Sequence, residues 1–533
     1  MSGRRKAVIA GGAVVGVGAV AAVTAAAMWY FGTGPQPSEA LPGSTLAYVS
    51  VDIDPSGKQL LEAKKVLEKF PAWNDEEISS RKDLREALFD RVLADAPCDL
   101  EYDDDIEPWI GDRAAMALVD LGDDRAPVAV VQVTDGDKAE QAFEKFGSCG
   151  SGAEEDMGGW AISGDWAVLA ETEDIAEQVA EEAEDNPLSE DDDYEKWTGE
   201  AGDPGILTVY LAPEAGDWMA EHGADFFAGR DFLPGGEDLC RLEGMDELGE
   251  PDCDDDPRSG DEVPEEVIKL FEDFDGAALT VRFDDGAIEV EAASSTDVFS
   301  TGGVPIGDSA GEVVETLPEG TAVALAYSLD EGWFDDFVDS MAAASGADLD
   351  LDDLLEQAER ELGLELPEDV ETLAGESAVI AVSSDVDLDA IFGSDLDVTA
   401  VPIGVKVKGD PDEIEEVIDK ILEGQGADES VRELFGTDKD GDFIVVGPDA
   451  DYREQMLEDG DLGDSDVYRD VVRESDDAGS ILFVNFDAGG GWLEDLVQGS
   501  EELQDNVAPL EGAGISSWED DGVAHAVLRV TTE

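Results

Sequence analysis

The chain has 533 residues, and its 134 Asp and Glu residues against 31 Lys and Arg residues give a formal charge of −103 at pH 7. No basic patch can offset this charge, which excludes nucleic acids, acidic polymers and anionic lipid headgroups as partners and leaves counter-cations, bound weakly and collectively. Because 42% of the residues are hydrophobic, the chain is not a disordered acidic polymer, and its length predicts at least two domains.

The N-terminal segment predicts a membrane anchor. A basic stub at 1–6 contains Arg4, Arg5 and Lys6, and an apolar run from Ala7 to Phe31 follows without an ionisable group. A helix of this length exceeds the roughly 20 residues that a bilayer core requires. The positive-inside rule places the stub in the cytoplasm, so the bulk of the chain is predicted to lie outside, held in the cell membrane by one transmembrane helix at 7–31.

A cleaved secretory signal is the alternative interpretation. Ala25, Ala26 and Ala27 offer a small-residue cleavage site, but the apolar region is longer than the usual ~7 to 15 residues. The uncleaved anchor is therefore favoured. Both interpretations export the rest of the chain.

Beyond a linker at 32–40, similar segments occur twice in the same order, which indicates an internal duplication. Residues 41–45 (LPGST) open the first copy and residues 317–321 (LPEGT) the second. Strands are predicted from apolar or alternating runs, and helices from an amphipathic pattern. The corresponding strands are 46–53 and 322–329, 111–119 and 375–383, 129–133 and 403–407, and 206–211 and 481–486, and the corresponding helices are 138–146 and 412–421.

Each copy ends in a predicted hairpin. Asp285-Gly286 and Asp521-Gly522 separate strand-like runs, and Asp-Gly is a strong signal for a short turn because both central positions tolerate positive φ. Short turns join antiparallel strands, whereas parallel strands need a long crossover. The predicted fold class is therefore α+β: an N-terminal transmembrane helix followed by two tandem similar α+β domains with largely antiparallel sheets.

The domain boundaries follow from these correspondences. The first repeat is predicted at 41–294, a linker at 295–314 and the second repeat at 315–533. The first repeat carries an insert near 220–275 that the second lacks, rich in Gly, Pro and Asp, which predicts a surface excursion.

Four cysteines suggest two disulfides in an exported protein. They are Cys98, Cys149, Cys240 and Cys253. The preferred pairing joins Cys98 to Cys149 and Cys240 to Cys253, although four cysteines permit three pairings. A zinc site is the alternative, but the spacings lack the paired two-residue gaps of structural zinc sites.

The opening of the first copy resembles a known family. Residues 41–55 follow the pattern Leu-Pro-x-x-Thr-x-x-Tyr-x-x-Val-Asp-x-Asp-Pro, and Lys69-Phe70-Pro71 comes after them. This pattern is similar to the domain-of-unknown-function family numbered 3352. The resemblance would cover most of residues 38–530 and implies a bacterial, membrane-associated protein without an assigned activity, so it transfers no catalytic residue.

Residues that might carry catalysis are few. His222 and His525, the only histidines, occupy non-equivalent places in the two copies, which argues against a paired metal or acid-base site. Ser79 precedes Lys82 at the spacing of penicillin-recognising enzymes, but the partner motifs of those enzymes are missing. We therefore predict no catalytic residue, no cofactor and no enzymatic activity.

Acidic clusters are the remaining candidates for binding chemistry, because carboxylate oxygens suit calcium and magnesium. The clusters are 103–105, 190–193, 252–256 and 438–442. A calcium loop starting at Asp438 would require glycine where Phe443 stands and glutamate where Asp449 stands. Solvated loop charge is the simpler interpretation, and a specific metal site stays open.

The sequence thus predicts a membrane-anchored extracytoplasmic protein, most readily a non-enzymatic binding or scaffold protein of the cell envelope with a salt-adapted surface. A carrier for an apolar ligand or lipid is the alternative, and a hydrolase with an unrecognised site is a weaker one. The sequence identifies neither the partner nor the oligomeric state.

Overall fold

The computed structural model describes residues 35–52, 57–70, 102–122, 125–147, 158–216, 218–219, 274–295, 307–330, 332–338, 355, 359–360, 363–385, 402–458, 460–490, 492 and 501–532. Within these ranges no helix is both long enough and apolar enough to span a bilayer. The predicted anchor at 7–31 lies outside them, as does nearly all of the predicted insert.

One antiparallel sheet of 16 strands forms the centre of the described structure. Its strands are β1 (Thr45–Asp52), β2 (Ile110–Asp120), β3 (Arg125–Val133), β4 (Gly159–Ser163), β5 (Trp166–Ala170), β6 (Leu207–Leu211), β7 (Ala277–Asp284), β8 (Ala287–Ser295), β9 (Thr321–Ser328), β10 (Ser377–Ser383), β11 (Ile403–Lys408), β12 (Gly436–Asp440), β13 (Phe443–Gly447), β14 (Ser480–Asn485), β15 (Leu510–Asp520) and β16 (Val523–Thr532). The α+β class with antiparallel pairing is therefore confirmed.

The strand order is the same in the two halves of the sheet. Strands β1 to β8, the first half, lie in the order β4-β5-β3-β2-β1-β6-β7-β8. Strands β9 to β16, the second half, lie in the order β12-β13-β11-β10-β9-β14-β15-β16. The halves join where β8 pairs with β16, with Glu289 opposite Arg529 and Glu291 opposite Val527. Two tandem domains are not confirmed, because one continuous sheet runs through both halves.

Helices cover both faces of this sheet. They are α1 (Gly57–Leu67), α2 (Gly136–Gly147), α3 (Glu173–Asp185), α4 (Asp192–Glu200), α5 (Ala310–Val314), α6 (Glu368–Ala374), α7 (Pro411–Gly424), α8 (Glu429–Leu434), α9 (Ala450–Leu457), α10 (Asp466–Val471) and α11 (Glu501–Val507). Short 3₁₀ turns add to them, among them Pro37–Ala40 just before β1. The helices predicted at 138–146 and 412–421 correspond to α2 and α7.

Alternating side chains divide the sheet into two core layers, because successive residues of a strand point to opposite faces. On one face, Tyr48, Val130 and Val168 pack with helices α3 and α4. On the other face, Val131 and Leu169 pack with α2. The second half repeats this arrangement, with α5, α9 and α10 on the first face and α7 on the other.

Both Asp-Gly turns have the predicted geometry. Asp285 and Gly286 have φ of 46° and 84°, and Asp521 and Gly522 have 48° and 82°. Positive φ at both central positions matches the right-handed twist of the flanking strands. The hairpins β7-β8 and β15-β16 are thereby confirmed.

One correspondence between the copies is shifted by two residues. The sequence aligned 206–211 with 481–486, which makes Asn485 the equivalent of Tyr210. In the sheet, Tyr48 of β1 lies opposite Tyr210, and Ala324, its equivalent on β9, lies opposite Phe483. Phe483 is therefore the structural equivalent of Tyr210, and a two-residue shift keeps the same face buried.

Candidate functional site

A cleft of about 950 Å³ opens on the first half of the sheet. Its floor consists of side chains on one face of four adjacent strands, β2, β1, β6 and β7. The floor residues are Tyr48, Ser50, Asp52, Arg113, Thr208 and Thr280. Their alternation places polar groups where a strand would normally bury apolar ones. Ser50 and Thr208 are partly exposed on the floor, whereas Tyr48, Asp52, Arg113 and Thr280 are buried beneath it.

A buried ion pair lies at one end of the floor. Arg113 Nε is 2.7 Å from Asp52 Oδ2, and the two side chains are only 5% and 7% exposed. Arg113 Nη1 also donates to the backbone oxygen of Pro35 at 2.5 Å. The pair therefore fixes the chain segment that enters the first half, and the paired charges cancel at the cleft floor.

Tyrosine rings form the next part of the wall. The Tyr194 ring makes edge contacts with Tyr48 and Tyr210, at centroid distances of 5.7 and 5.1 Å. Burial raises the pKa of Tyr48, Tyr194 and Tyr210 above the ordinary value. The hydroxyls, which any tyrosine keeps protonated at neutral pH, therefore stay protonated and able to donate hydrogen bonds at higher pH as well.

Helix α4 carries Tyr194 into this position. Asp191 caps the helix, and its Oδ1 accepts hydrogen bonds from the backbone N–H groups of Asp193 and Tyr194, each at 3.1 Å. Such a cap satisfies N–H groups that have no partner within the helix. Helix α4 then contributes Thr198 to the cleft, and the segment after it, residues 202–206, forms the cleft rim.

The second half of the sheet lacks this polar floor. Ser328 and Ser377 pair where Asp52 and Arg113 pair in the first half. Ala326 and Ile481 pair where Ser50 and Thr208 do. The buried charges and most of the hydroxyls are thus specific to the first half.

The element that covers the second half also differs. Ser309, just before α5, donates its backbone N–H to Ser328 Oγ at 3.1 Å, so α5 begins over the place that corresponds to the ion pair. Val313 and Val314 of α5 are fully buried. In the first half, the 3₁₀ turn Pro37–Ala40 takes the place of α5, and Pro37 lines the cleft.

The arrangement can bind a ligand through hydrogen bonds and ring contacts. The partly exposed hydroxyls of Ser50 and Thr208 can both donate and accept hydrogen bonds, and the Asp52–Arg113 pair beneath them carries no net charge. Clefts with mostly apolar walls and a few placed polar groups are typical of small-molecule sites.

The sequence did not single out this cleft. Asp52 is part of the opening pattern of the first copy, but its partner Arg113 is 61 residues away. A usable signal was present, since Arg113 lies on the alternating buried side of β2 in a chain with very few cations.

The candidate residues from the sequence fall largely elsewhere. Cys98, Cys149, Cys240 and Cys253 lie outside the described residues, as do His222, Ser79 and Lys82, so the disulfide pairings stay predictions. His525 is described: it lies on β16, is 9% exposed and stacks on Trp518 with ring centroids 5.2 Å apart.

In the acidic clusters that the structure describes, carboxylates form ion pairs with nearby Lys and Arg side chains or cap a helix. Residues 438–442 form the end of the β12-β13 hairpin, where Arg453 Nε lies 2.8 Å from Asp438 and Lys439 Nζ lies 2.8 Å from Asp412. Asp105 pairs with Lys145, and Asp191 caps α4. Over the described ranges, no three carboxylate, histidine or cysteine side chains converge as a metal site would require.

Comparison with known proteins gives one match. The model of a family described as Protein of unknown function (DUF3352) matches residues 8–222. This range includes strands β1 to β6 and most of the cleft. No curated protein and no solved structure is significantly similar to the chain.

Proposed function

Because residues 8–222 match the DUF3352 family, whose description assigns no activity, we propose from the cleft itself that the protein is a non-enzymatic binding protein. The observation that carries this proposal is the polar floor around the Asp52–Arg113 pair, present in one half of the sheet and replaced by Ser328 and Ser377 in the other. A buried ion pair adds little stability compared with apolar packing, which favours a role for it in binding.

The ligand that fits best is a small, neutral or cationic molecule with several hydroxyl or amide groups. The floor supplies donors and acceptors in Ser50 and Thr208, while Tyr194 supplies a ring. An anion would be repelled by the field of a chain with a formal charge of −103. The volume of about 950 Å³ is at the upper end of small-molecule sites.

The proposal places the cleft outside the cell and close to the membrane. The apolar run ends at Phe31, and Gln36 already lines the cleft. The few intervening residues span at most about 18 Å when extended, at ~3.5 Å per residue. External protease added to intact cells should digest the chain beyond the anchor, and complete protection of the chain would contradict this topology.

The repeated strand order supports an origin by duplication, with residues 41–294 and 315–533 as two tandem similar domains that share one sheet. On this proposal the second copy became a support, while the first kept the cleft. The strand neighbours are the same in both halves, but the buried ion pair and the hydroxyls of Ser50 and Thr208 occur in only one, which favours this division of roles.

The decisive experiment exchanges floor residues for those of the second half. The full chain would be purified from its native membrane, and bound small molecules released and identified by mass spectrometry. We expect the double variant Ser50→Ala/Thr208→Ile to lose a ligand that the unchanged protein retains. The matched control, Ser480→Ala/Thr437→Ile, removes the same two hydroxyls outside the cleft and should retain the ligand.

The contrary outcomes are equally concrete. Retention of the ligand by the floor variant would show that the ligand binds outside the cleft floor. Loss of the ligand from both variants would mean that the hydroxyls matter for folding alone. Recovery of no bound molecule from the unchanged protein, together with no change of melting temperature in a screen of neutral and cationic small molecules, would count against a binding role.

A carrier for an apolar ligand is the second candidate, and one observation favours it. On the opposite face of the sheet, Met116 and Ile380 lie at equivalent positions of β2 and β10 and are 47% and 40% exposed. Leu325, which pairs with Ile380, is also exposed. Lipid released from the unchanged protein but not from Met116→Glu/Ile380→Glu would favour this candidate over the cleft.

A further inference from the structure

The rim of the cleft is held by an arginine outside it. Arg282 on β7 donates from Nη1 to the backbone oxygen of Asp203 at 3.0 Å and lies 3.5 Å from that of Ala201. Residues 202–206 line the cleft, so these contacts bear directly on its shape. Backbone hydrogen bonds also hold the rim. Ile206 N–H donates to Val281 O at 2.5 Å, Asp52 N–H donates to Ile206 O at 3.2 Å, and Gly202 N–H donates to Gly199 O at 3.3 Å.

Arg282 is in turn oriented by two glutamates of β8. Its Nε donates to Glu289 Oε1 at 2.7 Å, and its Nη2 contacts Glu291 Oε2. Both of these side chains are mostly buried. A guanidinium fixed by two carboxylates presents its remaining N–H groups in a defined direction, here toward the rim.

Glu289 also receives an arginine from the second half of the sheet. Arg529 on β16 donates from Nη1 to Glu289 Oε2 and from Nη2 to the backbone oxygen of Asp284 at 3.2 Å. The Arg529 side chain is 4% exposed. Glu289 therefore bridges two guanidinium groups, one from each half. Arg473 of the second half approaches the same carboxylate at 3.6 Å.

The charge state of Glu289 agrees with this bridging role. Burial alone would raise its pKa, but the guanidinium groups of Arg282 and Arg529 outweigh burial and hold the pKa below the ordinary value. The carboxylate is thus ionised at neutral pH and pairs with both arginines.

The rim packs directly against this cluster. Gly202 has a φ of 80°, and a Cβ at this position would lie 2.1 Å from Glu291 Oε2 and 3.0 Å from Arg282 Nη1. Only glycine fits there, because the conformation and the space both exclude a side chain. A movement of the cluster would therefore displace the rim.

The equivalent hairpin of the second half has no such cluster. Trp518 and His525 pair across β15 and β16 where Arg282 and Glu289 pair across β7 and β8. Their rings stack nearly parallel, with an interplanar angle of 9°. The cross-strand pair of Arg282 with Glu289 is therefore specific to the half that contains the cleft.

We propose that Arg529, acting through Glu289 and Arg282, is a positioning residue for the cleft rim, so that the second half of the sheet sets the shape of the binding site in the first. This inference rests on the proposed binding function. It implies that ligand binding and the pairing of β8 with β16 are thermodynamically linked, since each favours the same position of the rim.

The test measures hydrogen exchange of the rim in the full-length protein, held in detergent or a lipid nanodisc, without any ligand. The hydrogen-bonded amides of Ala201, Gly202 and above all Ile206 should exchange about tenfold faster or more in Arg529→Gln, because the rim loses its support. Glu289→Gln should give the same change, and Arg529→Lys, which keeps one charge contact, an intermediate one.

Arg453→Gln is the matched control. Arg453 also joins a carboxylate, Asp438, to a backbone oxygen, that of Gly447 at 2.6 Å, but it lies in the second half away from the cleft. It should leave exchange of residues 201–206 unchanged. If Arg529→Gln unfolds the whole sheet, exchange will also rise in β10 to β13, and Arg529→Lys then provides the comparison.

Two results would overturn the proposal: rim exchange equal in Arg529→Gln and the unchanged protein, or an equal rise in Arg453→Gln. Neither depends on finding a ligand, so the positioning role can fail while the binding role stands. Conversely, a floor variant without effect on ligand retention would remove the proposed function and leave the exchange result intact.

Discussion

Among individual residues, the Asp52–Arg113 pair is the most informative. Both side chains are almost fully buried, and each neutralises the buried charge of the other. Continuum arguments and substitution experiments agree that such a pair is costly to break from one side. The uncharged pair Ser328–Ser377 at the equivalent position shows that the strand pairing itself does not need the charges.

We expect Asp52→Asn and Arg113→Gln each to destabilise the protein by about 3 to 5 kcal/mol, because each leaves one buried charge without its partner. The double variant should lose less stability than the sum of the two single losses, since neither buried charge remains. Urea denaturation of the four proteins in molar salt measures the coupling. For the exposed pair Lys64–Glu68, the same set of two single variants and one double variant should give a coupling free energy of less than about 1 kcal/mol.

Additive losses at Asp52 and Arg113 would contradict this expectation. They would mean that the two side chains act through other contacts, such as the hydrogen bond from Arg113 to Pro35, more than through each other.

Elements whose signals are local were the ones that the sequence predicted well. The Asp-Gly turns, the alternating strands and the amphipathic helices α2 and α7 depend on neighbouring residues, and the structure contains them. The pairing of β8 with β16 and the two-residue shift between β6 and β14 depend on contacts between distant segments. The cleft was missed for the same reason, because its floor comes from four strands scattered along the chain.

Docking of α4 onto β7 leads to a prediction for a glycine. Gly276 has a φ of 119°, and a Cβ there would lie 1.9 Å from Nε1 of the buried Trp197. Trp197 Nε1 donates to the backbone oxygen of Asp275 at 2.7 Å, so the indole has no freedom to retreat. We expect Gly276→Ala to lower stability by more than the ~1 to 3 kcal/mol of backbone strain alone.

Gly122 provides the comparison for this substitution. Its φ of 93° is also positive, but a Cβ there would meet nothing within 4 Å. Gly122→Ala therefore measures the conformational cost without the clash. Equal losses in the two variants, measured by thermal denaturation, would show that contact with Trp197 is unimportant.

For the molecule as a whole, charge is the dominant fact. Several of the described Arg side chains are paired with carboxylates inside the fold, for example at Asp52–Arg113 and in the Arg282–Glu289–Arg529 cluster. The remaining carboxylates repel one another across a surface with few compensating groups. Screening by salt acts over about 10 Å at 0.1 M, which is the range of these surface interactions.

Stability should therefore rise with ionic strength. We expect the melting temperature to increase by several degrees between very low and molar sodium chloride, and to increase at a lower ionic strength when magnesium replaces sodium. An uncharged osmolyte at matched osmolality is the control, because it is excluded from the protein surface but does not screen charge. Melting curves that do not move with either salt would show that the surface charge is already neutralised.

The join between β8 and β16 also constrains the order of events during biosynthesis. Strand β8 is complete before any part of the second half has been made, yet its outer hydrogen-bonding edge finds its partner only in β16, after the seven intervening strands β9 to β15. A nascent first half therefore carries an open strand edge, a surface prone to association with other chains. A chaperone that shields this edge until the second half arrives would protect an interrupted or slowly exported chain from aggregation.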